Sequence, residues 1–329
     1  MSEIKKKSFI SKIDISMLIL LCVAVAVVLG LSFTLGSKFL SVGSFASMAT
    51  QIPEFGILVL AMSVVLLTGG LDLSVVANAN LATIIGSIIM LKLMDRGTDE
   101  GVATVICLLI VCVCASLGGL FNGILIAKAA VYPMLATMAT MIFYNGISMV
   151  ISSGNSISGF PETFSKLGRM KILGIPTMFF VFLLLALILG IALRCTVFGK
   201  VVYLFGTNKV ATLFSGINTE GTIIKTYMLA GLLCGISGFV MMTRVNSAKV
   251  GYGDSYLLQS LLVAILGGIS ATGGNGSILG VVIATCVMQM MSTGLTLYGL
   301  EAYYRNYAWG ILLIAVLILN SCIKKRRAV

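Results

Sequence analysis

The 329-residue chain has no histidine, only four prolines and only 10% charged residues, 22 Lys and Arg against 11 Asp and Glu. Each shortage removes a class of function. Without histidine the Ser-His-Asp and Cys-His arrangements for nucleophilic attack cannot form, and the acidic residues are scattered, mostly in loops. No catalytic residue is expected. There is no G-x-x-x-x-G-K-[ST] segment, so the chain lacks the usual phosphate loop for binding and hydrolysing a nucleotide. So few charges cannot cover a soluble surface of this length.

What fills the chain is apolar: 59% of residues are hydrophobic, and the mean hydropathy is +1.11. This is the composition of an integral membrane protein. The apolar runs have lengths near the roughly 20 residues that a helix needs to cross a bilayer. About ten spans are read from them, at 15–35, 44–68, 72–93, 102–127, 131–151, 176–194, 223–243, 256–272, 277–297 and 304–322. The expected fold is all-α and polytopic, with residues 1–329 forming a single transmembrane domain. Pro53 and Glu54 interrupt the second run, where a kink or break is expected. The first run is too long, and lacks the small-residue cleavage pattern, for a removable signal peptide; it is read as a retained span.

Ten spans place both termini on one side, and the basic residues identify it. Lys5, Lys6, Lys7 and Lys12 lie in the N-terminal tail; Lys324, Lys325, Arg326 and Arg327 in the C-terminal tail; Arg194, Lys200, Lys209 and Lys225 around the loop after the sixth span. By the positive-inside rule that face is cytoplasmic. The net charge of +11 therefore reads as topology and attraction to anionic headgroups. No interleaving of aromatic and basic residues suggests nucleic acid.

The eight cysteines, Cys22, Cys107, Cys112, Cys114, Cys195, Cys234, Cys286 and Cys322, sit within spans or at their edges and read as small apolar residues. Cys112 and Cys114 point different ways on a helix, and no histidine completes a metal site. No metal or other cofactor is expected. The 36 glycines, with many Ser, Thr and Ala, allow helices to approach closely in lipid.

Asp72, in Leu66-Leu-Thr-Gly-Gly-Leu-Asp-Leu-Ser-Val-Val76, is the conspicuous charge. A carboxylate at the centre of a span costs about 2.5–3.5 kcal/mol on the insertion scale, so it faces protein or water. Gly69 and Gly70 weaken the helix before it, and Asp72 and Ser74 are placed to cap the helix after it. Two readings stand: a buried re-entrant turn whose carboxylate satisfies a helix start, or a polar group that borders a pathway with Asn78 and Asn80. A second glycine-rich interruption, Leu266-Gly-Gly-Ile-Ser-Ala-Thr-Gly-Gly-Asn-Gly-Ser-Ile-Leu-Gly280, falls on the same side of the membrane. Together the two breaks suggest related halves, a common transporter pattern.

The polar loop of about 195–222 keeps Val210, Leu213, Phe214 and Ile217 at helical spacing, with Asn208 placed to start a helix and Gly216 to end it. A short amphipathic cytoplasmic helix is expected. Its apolar face either lies on the bilayer or plugs into a protein groove.

Six ordered segments carry a resemblance: LTGGLDLS at 67–74, GLFNGILIA at 119–127, the PMLATMATM run from Pro133 to Met141, SGNSISGFPETF at 153–164, GTNKVATLFSGIN at 206–218 and LGGISATGGNGSILG at 266–280. They resemble the permease subunits of ABC importers of the ribose, galactose and xylose class, over nearly the whole chain. The resemblance implies a bacterial plasma-membrane subunit that pairs with a second permease, with a cytoplasmic ABC ATPase below and an extracytoplasmic solute-binding protein above. It assigns Gly206, Asn208, Ala211, Ser215, Gly216 and Ile217, with their neighbours Lys209, Val210, Leu213 and Phe214, to a coupling helix that docks into the ATPase. The absent phosphate loop then has its explanation.

Three positions depart from the family pattern: Val75 and Val76, where a glycine usually follows D-L-S; Lys209, where the coupling loop often carries an acid; and Glu54. Transport by such parts is conformational, with loops 152–175 and 244–255 as the expected docking surface for the binding protein. Candidate pathway residues are Asp72, Ser74, Asn78, Asn122 and Asn145, able to hydrogen-bond sugar hydroxyls; Asn122 serves equally to link helices. The spans single out no particular sugar. A channel lacks support, since no charge ring or carbonyl filter appears. The alternatives are an ion-coupled secondary transporter, resting on Asp72 and Glu54 as carboxylates deep in the bundle, and, within the same family, an importer of a nucleoside or a sugar-like signal.

Overall fold

The computed structural model describes residues 15–301, 303, 304, 306–311 and 314. Its principal helices are α1 (Ile15–Leu35), α2 (Val42–Leu67), α3 (Val75–Asp95), α4 (Glu100–Ala127), α5 (Pro133–Ser152), α6 (Glu162–Arg169), α7 (Thr177–Cys195), α8 (Val197–Thr207), α9 (Lys209–Phe214), α10 (Thr219–Val245), α11 (Tyr256–Leu266) and α12 (Ile278–Leu297). Among the described residues eight helices, α1 to α5, α7, α10 and α12, are long and apolar enough to cross a membrane.

Two of the expected spans are not among these eight. The run at 256–272 is not a single continuous helix. Helix α11 stops after 11 residues, about 16 Å at 1.5 Å per residue, roughly half the hydrocarbon thickness. The cause is Gly267: its backbone lies so close to α12 that a Cβ there would sit 2.6 Å from the Val281 Cα, and Gly268 then turns the chain with φ +90°. The run at 304–322, both basic tails and Cys322 lie wholly or mostly outside the described residues.

Pro53 does not break α2. The helix runs through it unbroken for 26 residues, because a proline removes one backbone bond while the turns on either side keep theirs. From Ile52 to Leu67 every residue of α2 is buried, enclosed by α7, α10, α11 and α12. A helix apolar around its whole circumference belongs at a core. Here α2 is the axis on which the others are arranged.

Beside that axis α4 and α10 cross at glycine-to-backbone distance. A Cβ on Gly119 would lie 2.2 Å from the Tyr227 carbonyl oxygen, and one on Gly231 would lie 2.3 Å from that of Ala115. Gly123 and Gly235 continue the same seam one turn on, against Ile224 and Val111. Small residues four apart on both helices allow this approach, which in lipid must supply the packing that water would otherwise drive.

The loops at 152–175 and 244–255 are joined. The Ile157 N–H donates to the Ala248 carbonyl at 2.8 Å and the Ala248 N–H returns the bond at 2.9 Å, while Ser165 Oγ donates to Asn246 Oδ1 at 2.7 Å. Strands β1 (Lys171–Ile172) and β2 (Ile175–Pro176) pair antiparallel and lead into α7.

The α4–α10 crossing makes a direct prediction. Gly231→Val puts side-chain atoms where the Ala115 carbonyl already sits, and should lower the monodisperse, detergent-extracted yield severalfold. Gly146→Val in α5, where nothing lies within 4 Å, should leave it near wild type. Size-exclusion profiles of the two variants check this.

Candidate functional site

Helix α2 closes through a tight turn, with Gly69 at φ +73°, and the chain crosses a short non-helical stretch before α3. Asp72 lies in that stretch, 2% exposed. Its Oδ1 accepts from the Ser74 N–H at 2.8 Å and from Ser74 Oγ at 2.7 Å. The expected capping is corrected in one respect. Ser74 occupies the cap position of α3 but its side chain caps nothing; the hydroxyl turns back to the carboxylate, which outcompetes a neutral amide partner for it.

Asn122 of α4 donates through Nδ2 to Ser74 Oγ at 2.8 Å, so Asp72, Ser74 and Asn122 form one buried chain of polar groups. The Leu71 carbonyl, freed by the break, accepts from Thr137 Oγ1 at 3.1 Å and from the Tyr227 hydroxyl at 3.4 Å. Asn78 is not part of this chain: its Nδ2 donates to the Ala115 carbonyl at 2.9 Å, bracing α3 against α4. Asn145 stands apart on α5. Among the described residues the Oδ1 atoms of Asn122 and Asn145 are buried acceptors with no hydrogen-bond partner. Val75 and Val76, the departures beside Asp72, are buried in the main core.

At the end of α2 the two glycine-rich breaks meet. The Leu67 carbonyl accepts from the Gly274 N–H at 2.9 Å. Gly206 of α8 presses against both: a Cβ there would stand 2.0 Å from the Leu67 oxygen and 2.4 Å from the Gly274 nitrogen. Tyr203, one turn earlier in α8, donates to the Gly276 carbonyl at 3.0 Å. Only glycine fits at the middle of this junction.

Directly beyond it lies the expected short amphipathic helix, α9, preceded by a further helix, α8, that the sequence reading did not separate. Helix α8 buries Val202 and Phe205, the backbone then extends at Asn208, and α9 begins afresh. Asn208 caps it as expected, its Oδ1 accepting from the Ala211 N–H at 2.9 Å, and Gly216 follows its end at φ +74°. Val210, Leu213 and Phe214 are exposed, Phe214 by 85%, while Thr212 turns inward and Ile217 is half-buried. Lys209 is exposed beside them, its Nζ 5.8 Å from the centre of the Phe205 ring. Ala211 and Ser215 are also exposed, with Ser215 Oγ bonded back to the Ala211 carbonyl.

A third polar centre lies outside the sequence expectation. Glu54, wholly buried, accepts from Arg244 Nε at 2.6 Å and Nη2 at 2.7 Å, and from the Tyr256 hydroxyl at 2.8 Å. The fork of the guanidinium matches both carboxylate oxygens. This one cluster fastens α2, α10 and the start of α11 together. A lone Glu inside an apolar run demands a cation, and Arg244, which ends another apolar run, was the available signal.

These centres can be tested by substitution. Asp72→Asn keeps an acceptor for Ser74 and should fold near wild type, whereas Asp72→Leu strands the buried Ser74 N–H at a cost of about 1–3 kcal/mol and should lower the folded yield. Arg244→Met strips Glu54 of its counter-charge and should lower the melting temperature of the purified protein more than the double change Glu54→Gln with Arg244→Met, since coupled residues are non-additive. Equal losses in the two variants would show that the ion pair fastens nothing.

Residues 44–319 match the family described as the branched-chain amino acid transport system / permease component. Among similar proteins, the ribose import permease protein of Bacillus subtilis (strain 168) is 34% identical over 86% of this chain and 87% of its own. That of Escherichia coli (strain K12) is 30% identical over 91% and 92%. The D-allose transport system permease protein of the same E. coli strain is 31% identical over 79% and 78%. No solved structure matches. With a family match across most of the chain and relatives aligned nearly end to end, the chain belongs to this permease family, as a multi-pass ABC-importer permease of the bacterial inner membrane.

Proposed function

We propose that the chain is the membrane-spanning subunit of an ATP-driven importer, passing a monosaccharide or similar small polar solute by alternating access. The observation that carries this is α9: an exposed apolar face, capped at Asn208, held one residue beyond a junction where α2, α8 and the second glycine break touch backbone to backbone. A displacement of α9 has no slack to absorb it before it reaches α2. Val210, Leu213 and Phe214 are the side chains that enter a groove of the cytoplasmic ATPase, with Gly206, Lys209, Ala211, Ser215, Gly216 and Ile217 shaping the contact. The basic residues of both tails support a cytoplasmic place for both termini.

A second permease subunit completes the membrane unit. The joined loops 152–175 and 244–255 receive the loaded binding protein. Asp72, Ser74, Asn78, Asn122 and Asn145 border the route of the solute. The unpartnered acceptors on Asn122 and Asn145 support this, since a passing hydroxyl supplies the donor that each lacks. That relatives are named for ribose, allose and, in Haemophilus influenzae, galactose or methyl galactoside supports a sugar as the solute.

The test separates a coupling helix from one resting on lipid. A face docked in a groove concentrates binding energy in a few side chains, so Phe214→Ala should cost on the order of 2 kcal/mol of contact. That amounts to roughly thirtyfold weaker ATPase recruitment. Phe214→Asp should go further, with the permease still inserted while ATPase co-purification and solute uptake fall together. Unchanged co-purification and uptake in the Asp variant would overturn the assignment.

A further inference from the structure

Between the second half of α7 and the start of α12 lies a cleft of about 370 Å³ that shares only Tyr203 with the polar centres above. Leu183, Leu187, Gly190 and Ile191 form one wall; Ile278, Leu279 and Val282 form the other. Leu183, Leu187, Ile191 and Leu279 are exposed, so the cleft opens sideways, toward the lipid that surrounds these spans. Its walls suit a hydrocarbon chain.

The mouth of the cleft has a different chemistry. Arg194, in the last turn of α7, and Ser277, just before α12, stand there with Arg194 Nη2 3.5 Å from Ser277 Oγ. That contact is too long to occupy the guanidinium, which remains exposed. Among the described residues no acidic side chain lines the cleft. Ser277 does not cap α12 with its side chain, so the first amides of a 20-residue helix add positive potential at the same point. Lys200 is exposed two turns further along the chain, in α8.

We infer that this cleft binds an anionic phospholipid, with an acyl chain between α7 and α12 and the headgroup phosphate on Arg194 and the start of α12. Charge complementarity selects an anionic lipid over a zwitterionic one, and the apolar walls select a lipid over a soluble anion. The position is significant, because α7 leads through Arg194 directly into α8 and the glycine junction. A lipid seated there stiffens the frame on which α9 is mounted. The leaflet, inner rather than outer, rests on the orientation proposed above; the binding itself does not.

The test uses the purified full chain in neutral detergent and follows its melting temperature on adding dioleoyl-phosphatidylglycerol, dioleoyl-phosphatidylcholine or inorganic phosphate. Phosphatidylglycerol should raise it, and the other two should not. Arg194→Gln should raise the half-maximal phosphatidylglycerol concentration roughly fivefold, the factor that one basic side chain contributes at an anionic surface. Gly190→Leu, whose Cβ meets only Ile278 at 3.9 Å, should fill the cleft and remove the response while the lipid-free melting temperature holds.

An equal shift with phosphatidylcholine, an equal shift with phosphate, or a full phosphatidylglycerol response in Arg194→Gln would each overturn the site. A changed number of copies per particle in Gly190→Leu, with the lipid response intact, would make the cleft a contact between chains and overturn it equally. None of these readings involves ATPase or solute, so a failure here is distinct from a failure of the transport reading.

Discussion

A helix that ends inside packed protein leaves carbonyl groups that water cannot reach, and each needs a donor from the protein itself. Helix α2 stops at Leu67, and the Leu67 carbonyl finds its donor in the backbone of Gly274, some two hundred residues along the chain. The rest of the arrangement depends on that bond. It can form only if the second break reaches the first, which requires α11 to be short. It also requires the space between the breaks to be free of side chains, which is why glycine stands at positions 69, 206, 273 and 274.

The same constraint ties the cytoplasmic segment to the core. Gly206 is within a residue of the break that starts α9, and a Cβ on it has no room beside Leu67 and Gly274. Hence α8 is less a linker than part of the junction, with Val202 and Phe205 buried and Tyr203 bonded to Gly276. The segment divides its work accordingly. Helix α8 is spent on anchorage, and α9, with little of its own surface buried, is left free to present Val210, Leu213 and Phe214.

Most of this was legible in the sequence because membrane physics leaves few options. Runs of about 20 apolar residues must be helices, and the boundaries of α3, α4, α5, α7 and α12 fall within a few residues of those read from hydropathy. Asn208 and Gly216 announced the ends of α9 by their residue types. What was not legible depended on distant partners. The glycine-rich interruption after Leu266 was visible, but not that the helix ends at its first residue, where Gly267 lies against Val281. Pro53 and Glu54 read as an interruption because the sequence does not display what surrounds them: an unbroken helix whose one carboxylate is met by Arg244 and Tyr256. The chain Asn122–Ser74–Asp72 was visible as three polar residues but not as a sequence of donors and acceptors.

Glu54 and Leu67 also explain each other. They are thirteen residues apart on α2, about 20 Å at 1.5 Å per residue, and each end is fastened to the same partners by different means. At Glu54 the fastening is an ion pair between the buried carboxylate and the partly exposed Arg244 of α10, with a hydroxyl from α11; at Leu67 it is a backbone bond to the turn that follows α11. Helix α11 therefore runs alongside α2, its start pinned at Glu54 and the turn beyond its end pinned at Leu67. An ion pair taken from water is held only while its geometry stays good, and a glycine junction tolerates no added atom, so neither end yields by small degrees. Under the proposed alternating access α2, α11 and the junction with α8 must move as one body, and the give must come elsewhere, along the polar chain of Asp72, Ser74 and Asn122, where one acceptor is still unpaired among the described residues.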